Sequence, residues 1–118
     1  MTAGYGRYAP SPSSDLHFGN LRTAVVAYLA AQTESLGFRL RVEDLDDRGR
    51  EAIAQRQLAD LAALGIKWDG DVLFSSQRRA AYDAAIDQLT QAGLTFECFC
   101  SRREVAAAPR APHSPPGT

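Results

Sequence analysis

Two short stretches of the chain alternate apolar and polar side chains, and longer stretches between and after them repeat at three- and four-residue spacing. Residues 5–9 (YGRYA) and 38–42 (FRLRV) are of the first kind and predict strands. Residues 21–36 (LRTAVVAYLAAQTESL) are of the second kind, with Leu21, Val25, Tyr28, Leu29 and Gln32 on one face and alanines filling the gaps, so a helix is expected there with Gly37 as its left-handed cap. Strand, helix and strand at this spacing predict a βαβ unit with parallel strands. A second helix is expected over 51–64, with Ile53, Gln57, Leu58, Leu61 and Leu64 on one face and Gly65 ending it. Asp69-Gly70 is a turn dipeptide leading into a short apolar segment, 72–74. A third helix follows over 77–92, with Ser76 as its N-cap, Tyr82, Ile86 and Leu89 toward the core and Gly93 as its stop. Residues 94–98 read as a further strand. Residues 101–105 (SRREV) open a helix, but four prolines in the last ten residues exclude a helix or central strand there. Such a tail reads as a connector rather than as the end of a domain.

Composition narrows the class. The chain has 118 residues, 45% hydrophobic and 23% charged, which suits one small domain with a real core. A net charge of −1 supplies no general basic field for nucleic acid, so RNA binding would need a local patch. The N-terminus has no apolar region of the kind a secretory signal needs, and no run reaches the length of a membrane span. The two cysteines, Cys98 and Cys100, stand too close for an ordinary structural disulfide, so reduced thiols or a metal are expected, and a cytoplasmic location with them.

The candidate chemistry gathers in residues 6–20 (GRYAPSPSSDLHFGN). A helix that starts directly after a strand offers unpaired N–H groups and a positive dipole end, a ready anion site. His17 has a ring N–H for a phosphate oxygen, and Gly19 leaves room for a close approach. The same residues also suit a proline-rich loop on an ordinary helix. In an open parallel sheet ligands collect beyond the carboxyl ends of the strands, so Glu43 and Asp44, in EDLDDRGR at the end of the second strand, are expected in the same crevice as His17. Asp46 and Asp47 in that stretch suit loop and helix-capping roles.

Several segments together resemble a known family. RYAPSPSSDLHFGNLRTA is similar to the first signature region of class I aminoacyl-tRNA synthetases, with His17-Phe18-Gly19-Asn20 in place of His-Ile-Gly-His. RVEDLDDR resembles the second-strand segment of the glutamyl-tRNA synthetases. Within that family the chain looks most like the glutamyl-Q tRNA(Asp) synthetase branch. WDGDVLFSSQRRAAY passes from the tryptophan to the Gln-Arg segment without the usual glycine-rich insertion, Phe18 is a common variant there, and FECFCSRREV resembles the start of that branch's zinc site. Ser14 departs from the family's glycine. The tyrosine and third cysteine of the zinc site and the lysine-rich second signature loop are absent, and His113 is the other candidate ligand in the tail.

The resemblance implies an α/β, Rossmann-like nucleotide-binding domain of the class I synthetase (HUP) type, incomplete at its C-terminus. Residues 1–97 would form its first half and 98–118 the truncated start of a zinc-binding insertion. It implies activation of glutamate by ATP with Mg2+, then transfer to queuosine of tRNA(Asp) by a monomeric enzyme of which this chain is a part. Arg7, Tyr8, Ala9, Pro10, Ser11 and Glu43 would bind glutamate. His17, Gly19 and Asn20 would bind ATP, with His17 and Asn20 acting in catalysis. Cys98 and Cys100 would be two of four zinc ligands. A glutamyl-tRNA synthetase of the ordinary kind and a non-catalytic nucleotide- or amino-acid-binding remnant remain as alternatives.

Overall fold

The computed structural model describes residues 4–45 and 51–108. They fall into two compact units divided between Tyr82 and Asp83. The first unit opens with strand β1 (Tyr5–Tyr8), helix α1 (Phe18–Thr33) and strand β2 (Gly37–Val42). Helix α2 (Glu51–Ala63), a two-residue strand β3 (Leu73–Phe74) and a 3₁₀ turn (Ser75–Arg78) follow, and helix α3 (Arg79–Gln91) runs on across the division. The strands form a parallel sheet in the order β1-β2-β3, as the βαβ pattern predicts. Tyr5 pairs with Gly37 and Tyr8 with Leu40, while Val42 pairs with Phe74.

The core lies between this sheet and the helices and is built from Ala24, Ala31, Phe38, Leu40, Leu61 and Ile66. Tyr28 meets Phe38 edge to face at 5.3 Å between ring centres. The buried side of α1 is therefore Leu21, Ala24, Val25, Tyr28 and Ala31, while Leu29, from the expected stripe, is 56% exposed. Small residues face the sheet because the helix lies very close to it. A Cβ at Gly6 would stand 2.7 Å from the Cβ of Ala31 and 3.1 Å from the Phe38 ring. Leu64 likewise points outward, whereas Ala54, Gln57 and Leu61 form the buried side of α2.

Two expectations about punctuation are corrected. Helix α1 ends at Thr33, and the left-handed residue after it is Ser35 (φ 55°), not Gly37. Gly37 is the first residue of β2, where an added Cβ would run into the Tyr5 ring and come 2.8 Å from Asp69 Oδ2. Ser76 does not cap α3. It sits inside the 3₁₀ turn, and its N–H and hydroxyl both donate to the Asp44 carboxylate, at 2.8 and 2.6 Å. Gly65 and Gly93 do end their helices in left-handed geometry, with φ of 81° and 71°.

In the second unit, residues 94–98 are not a strand. A strand needs a partner edge, and among the described residues the only other element that begins there is the short helix α4 (Arg102–Ala107), capped by Ser101 and Glu104 in a capping box. Leu94, Phe96 and Phe99 are exposed, as are Ile86 and Leu89 of α3, which were expected in a core. Asp46, Asp47 and His113 lie outside the described residues.

Asp44 joins the loop after β2 to the 3₁₀ turn. Burial pushes its carboxyl pKa up, but the hydrogen bonds from Ser76 and from backbone N–H groups outweigh this and hold it below the ordinary value. A group with a depressed folded pKa contributes stability that is present above its unfolded pKa of about 3.9 and is lost as pH falls through the lower folded value. D44A is expected to cost about 2 kcal/mol, the scale of hydrogen bonds to a charged acceptor. D44N, which cannot titrate, should flatten the acid limb, so denaturant unfolding between pH 6 and pH 3 should show the wild type losing more stability than D44N.

Candidate active site

The crossover from β1 to α1 closes around a cavity of about 410 Å³. Tyr8, Ala9, Pro10 and Ser11 line it from the strand side, and Leu16, His17 and Asn20 from the helix side. Pro10 and Pro12 are buried and hold the loop's course. Burial also pushes the Tyr8 phenol pKa up. The N–H of Glu43 donates to the carbonyl of Pro10 at 2.9 Å, so the carboxyl ends of β1 and β2 are tied together at the cavity's edge. Six of the residues expected from the sequence, Tyr8 to Ser11 with His17 and Asn20, thus share one wall system.

His17 is the N-cap of α1, with extended backbone (φ −89°, ψ 173°). Its Nδ1 accepts from the N–H of Gly19 at 3.1 Å and of Asn20 at 3.4 Å, and Asn20 Oδ1 accepts from the N–H of His17 at 3.2 Å. This is a capping box made from His and Asn in place of Ser/Thr and Glu. An accepting Nδ1 carries a lone pair, so the neutral ring bears its proton on Nε2, which remains as the donor for an anion. Gly19 gains a second reason for being glycine: a Cβ there would lie 3.0 Å from His17 Cε1 and 3.2 Å from Nδ1, crowding the cap.

Two residues of α2 brace the same loop. Gln57 is 1% exposed, and its Nε2 donates to the carbonyls of Ser11 (3.1 Å) and Ser14 (2.7 Å). Its Oε1 is buried with no hydrogen-bond partner among the described residues, a cost of about 1–3 kcal/mol. Arg56 forms an exposed ion pair with Asp15 at 2.7 Å, which raises the guanidinium pKa. Gln57 also lines the cavity, beside Ser13 and Ser14. The sequence reading placed Gln57 on the inner face of its helix without giving it a task. The signal available was a glutamine at the i+4 position between Ile53 and Leu61, in an otherwise apolar stripe.

The remaining expected residues stand apart from the cavity lining. Arg7 is exposed on β1, opposite Arg39 in register. Glu43 is at the cavity's edge through its backbone, but its Oε1 is taken by Arg41, whose Nε donates at 3.1 Å and whose Nη2 forms the ion pair. Cys98 and Cys100 belong to the second unit as exposed, free thiols. Structural zinc takes four ligands, and no group of three or more ligating side chains occurs among the described residues. The pair as described does not fit a complete zinc site.

The family profile described as tRNA synthetases class I (E and Q), catalytic domain, matches residues 5–112. The chain belongs to that family. It is 60% identical over 114 residues to a glutamyl-Q tRNA(Asp) synthetase of Nocardia farcinica, covering 97% of this chain and 36% of that protein. It is 51% identical over 113 residues to one of Cutibacterium acnes, covering 92% and 31%. A solved glutamate-tRNA synthetase from Elizabethkingia anophelis superposes with a TM-score of 0.73 at 28% identity, covering 88% of this chain and 23% of that one. The fold is thus the Rossmann-like catalytic domain of the class I synthetases. The chain spans about a third of the length of the curated relatives it matches. In open α/β sheets ligands collect in the crevice beyond the carboxyl ends of the strands, and the cavity lies next to the carboxyl end of β1.

The cap assignment of His17 has a direct test. H17A should lower the unfolding free energy by about 1 kcal/mol, whereas H17N, whose side chain is a strong N-cap itself, should stay within a few tenths of wild type. Thermal unfolding of both variants checks this, and equal losses would remove the assignment.

Proposed function

We propose that residues 1–118 carry one half of the substrate cleft, binding glutamate and nucleotide, of a synthetase that activates glutamate with ATP and transfers it to queuosine of tRNA(Asp). The observation that supports this most is the single cavity walled by Tyr8–Ser11 on one side and by His17 and Asn20 on the other. In the first step a carboxylate oxygen of glutamate forms a bond to the α-phosphorus of ATP. The bond from that phosphorus to the bridging oxygen breaks, and pyrophosphate leaves with the electron pair. In the second, a hydroxyl of queuosine takes the glutamyl group and AMP departs. Such displacements depend on positioning and charge stabilisation more than on covalent help from the protein.

The proposed roles follow from side-chain chemistry and from the resemblance of these segments to the family's signature regions. Arg7 offers a guanidinium fork to the side-chain carboxylate of glutamate. Ala9, Pro10 and Ser11 shape the amino-acid side of the cavity. Glu43 takes the α-ammonium, exchanging its Arg41 partner for the substrate cation or sharing itself between them. His17 Nε2–H and the Asn20 amide serve the ATP phosphates and ribose at the positive end of α1, with Gly19 leaving space. Mg2+ arrives with ATP, held mainly by its phosphates. Residues 98–118 open a zinc-binding insertion in which Cys98 and Cys100 supply two thiolates. A cytoplasmic location matches a tRNA substrate. The queuosine acceptor is favoured over tRNA(Glu) because the relatives at 60% and 51% identity bear the glutamyl-Q tRNA(Asp) synthetase name. Binding without catalysis is the second reading for residues 1–118 taken alone.

Glutamate-dependent exchange of pyrophosphate into ATP by the full-length protein tests the activation step, and its absence would defeat the proposal. Labelled glutamate should then appear on queuosine-containing tRNA(Asp) and not on tRNA(Glu); the reverse would indicate an ordinary glutamyl-tRNA synthetase.

R7A should lower kcat/KM for glutamate roughly 10- to 100-fold, the scale of a charge-assisted pair. The KM for ATP should change little. Near-normal glutamate activation would remove Arg7 from the site.

A further inference from the structure

We propose that Gln57 is a positioning residue which sets the spacing between the amino-acid side and the phosphate side of the cavity. The inference rests on the functional reading above. Residues 11–14 connect the two sides, with Ala9–Ser11 before them and His17 and Asn20 after. The Gln57 amide holds both ends of this tetrapeptide at once, through the carbonyls of Ser11 at 3.1 Å and Ser14 at 2.7 Å. Two N–H bonds from one planar NH₂ group fix the separation of the two carbonyls, which an exposed ion pair such as Arg56–Asp15 cannot do. The peptide plane carries the effect onward. With the Ser14 carbonyl turned to α2, the Asp15 N–H of the same trans peptide points to the opposite side of the loop.

The amide's orientation is dictated by its partners. Reversing it would bring Oε1 against two carbonyl oxygens, so NH₂ faces the loop and Oε1 is left buried with no hydrogen bond among the described residues. An apolar side chain of the same length would fill this place between Ala54 and Leu61 without an orphaned acceptor. What glutamine adds over such a residue is the grip on the loop. Gln57 also borders the cavity, so the grip acts at the binding site itself.

The test uses Q57M, which keeps length and removes the donors, and Q57E, which presents a carboxylate to the two carbonyls until it is protonated. In the full-length protein, well below each variant's melting temperature, Q57M should raise the KM for glutamate and for ATP together by about tenfold, the scale of one lost hydrogen bond. The value of kcat should change less. Q57E should be worse than Q57M at pH 8 and recover toward pH 6, where its O–H can donate, while wild-type KM values do not follow that course. Wild-type KM values in Q57M with only a lowered melting temperature would overturn the proposal, as would a pH-independent Q57E. If the wild type shows no glutamate-dependent exchange, the functional reading fails separately. The positioning claim is then decided by amide hydrogen exchange, expected to be faster at residues 13–17 in Q57M with Phe38–Val42 unchanged. Unchanged exchange in the loop would overturn it.

Discussion

The close approach of α1 to the first two strands is the constraint on which the rest depends. Gly6 has no side chain where one would stand 2.7 Å from Ala31, and Ala24 and Ala31 present only methyl groups to the sheet. With the helix held this near, its N-terminus and the carboxyl end of β1 line the same cavity. The nine residues from Ala9 to His17 must then turn tightly, and buried Pro10 and Pro12 give them the restricted backbone to do so. The cavity is the space left inside that turn. Packing of small residues outside the cavity lining thus helps to set where the dipole end of α1 meets the strand ends.

The turn is not self-supporting. Its start is tied to β2 by the Glu43 N–H on Pro10, its middle to α2 by the two bonds from Gln57, and its end by the reciprocal cap between His17 and Asn20. Each tie uses a group that also faces or borders the site. Capping at His17 occupies Nδ1 and leaves Nε2 of the same ring, on a residue that lines the cavity. The same sharing appears at Glu43, whose carboxylate is held by Arg41 while its backbone fixes the loop. The residues which build the loop are thus also ones that line or border the cavity.

Much of the first unit was legible from period and punctuation. Alternation in YGRY and FRLRV marked the strands, and the intervening helix forced them parallel. Gly65 and Gly93 ended their helices as their lack of a Cβ allows. The misreadings share one cause. Leu29 and Leu64 have the right spacing but lie just off the side that the sheet covers, and the hydrophobic period does not show where a stripe ends. Leu94–Cys98 has strand-like residues but no edge to pair with among residues 83–108. Ser76 looks like a cap until Asp44, 32 residues earlier, takes both its N–H and its hydroxyl.

By itself the sequence determined the βαβ order, the placing of a strand-to-helix crossover at residues 9–17 and, through its motifs, the family. Those are properties of local period, turn chemistry and residue identity, all written in neighbouring positions. Tertiary structure alone decided that Asp44 takes Ser76 from 32 residues away, and that Gln57 holds Ser11 and Ser14 from a helix more than forty residues away. These depend on which carbonyls and carboxylates arrive within about 3 Å of a donor, and that distance exists only once α1, α2 and the sheet have packed.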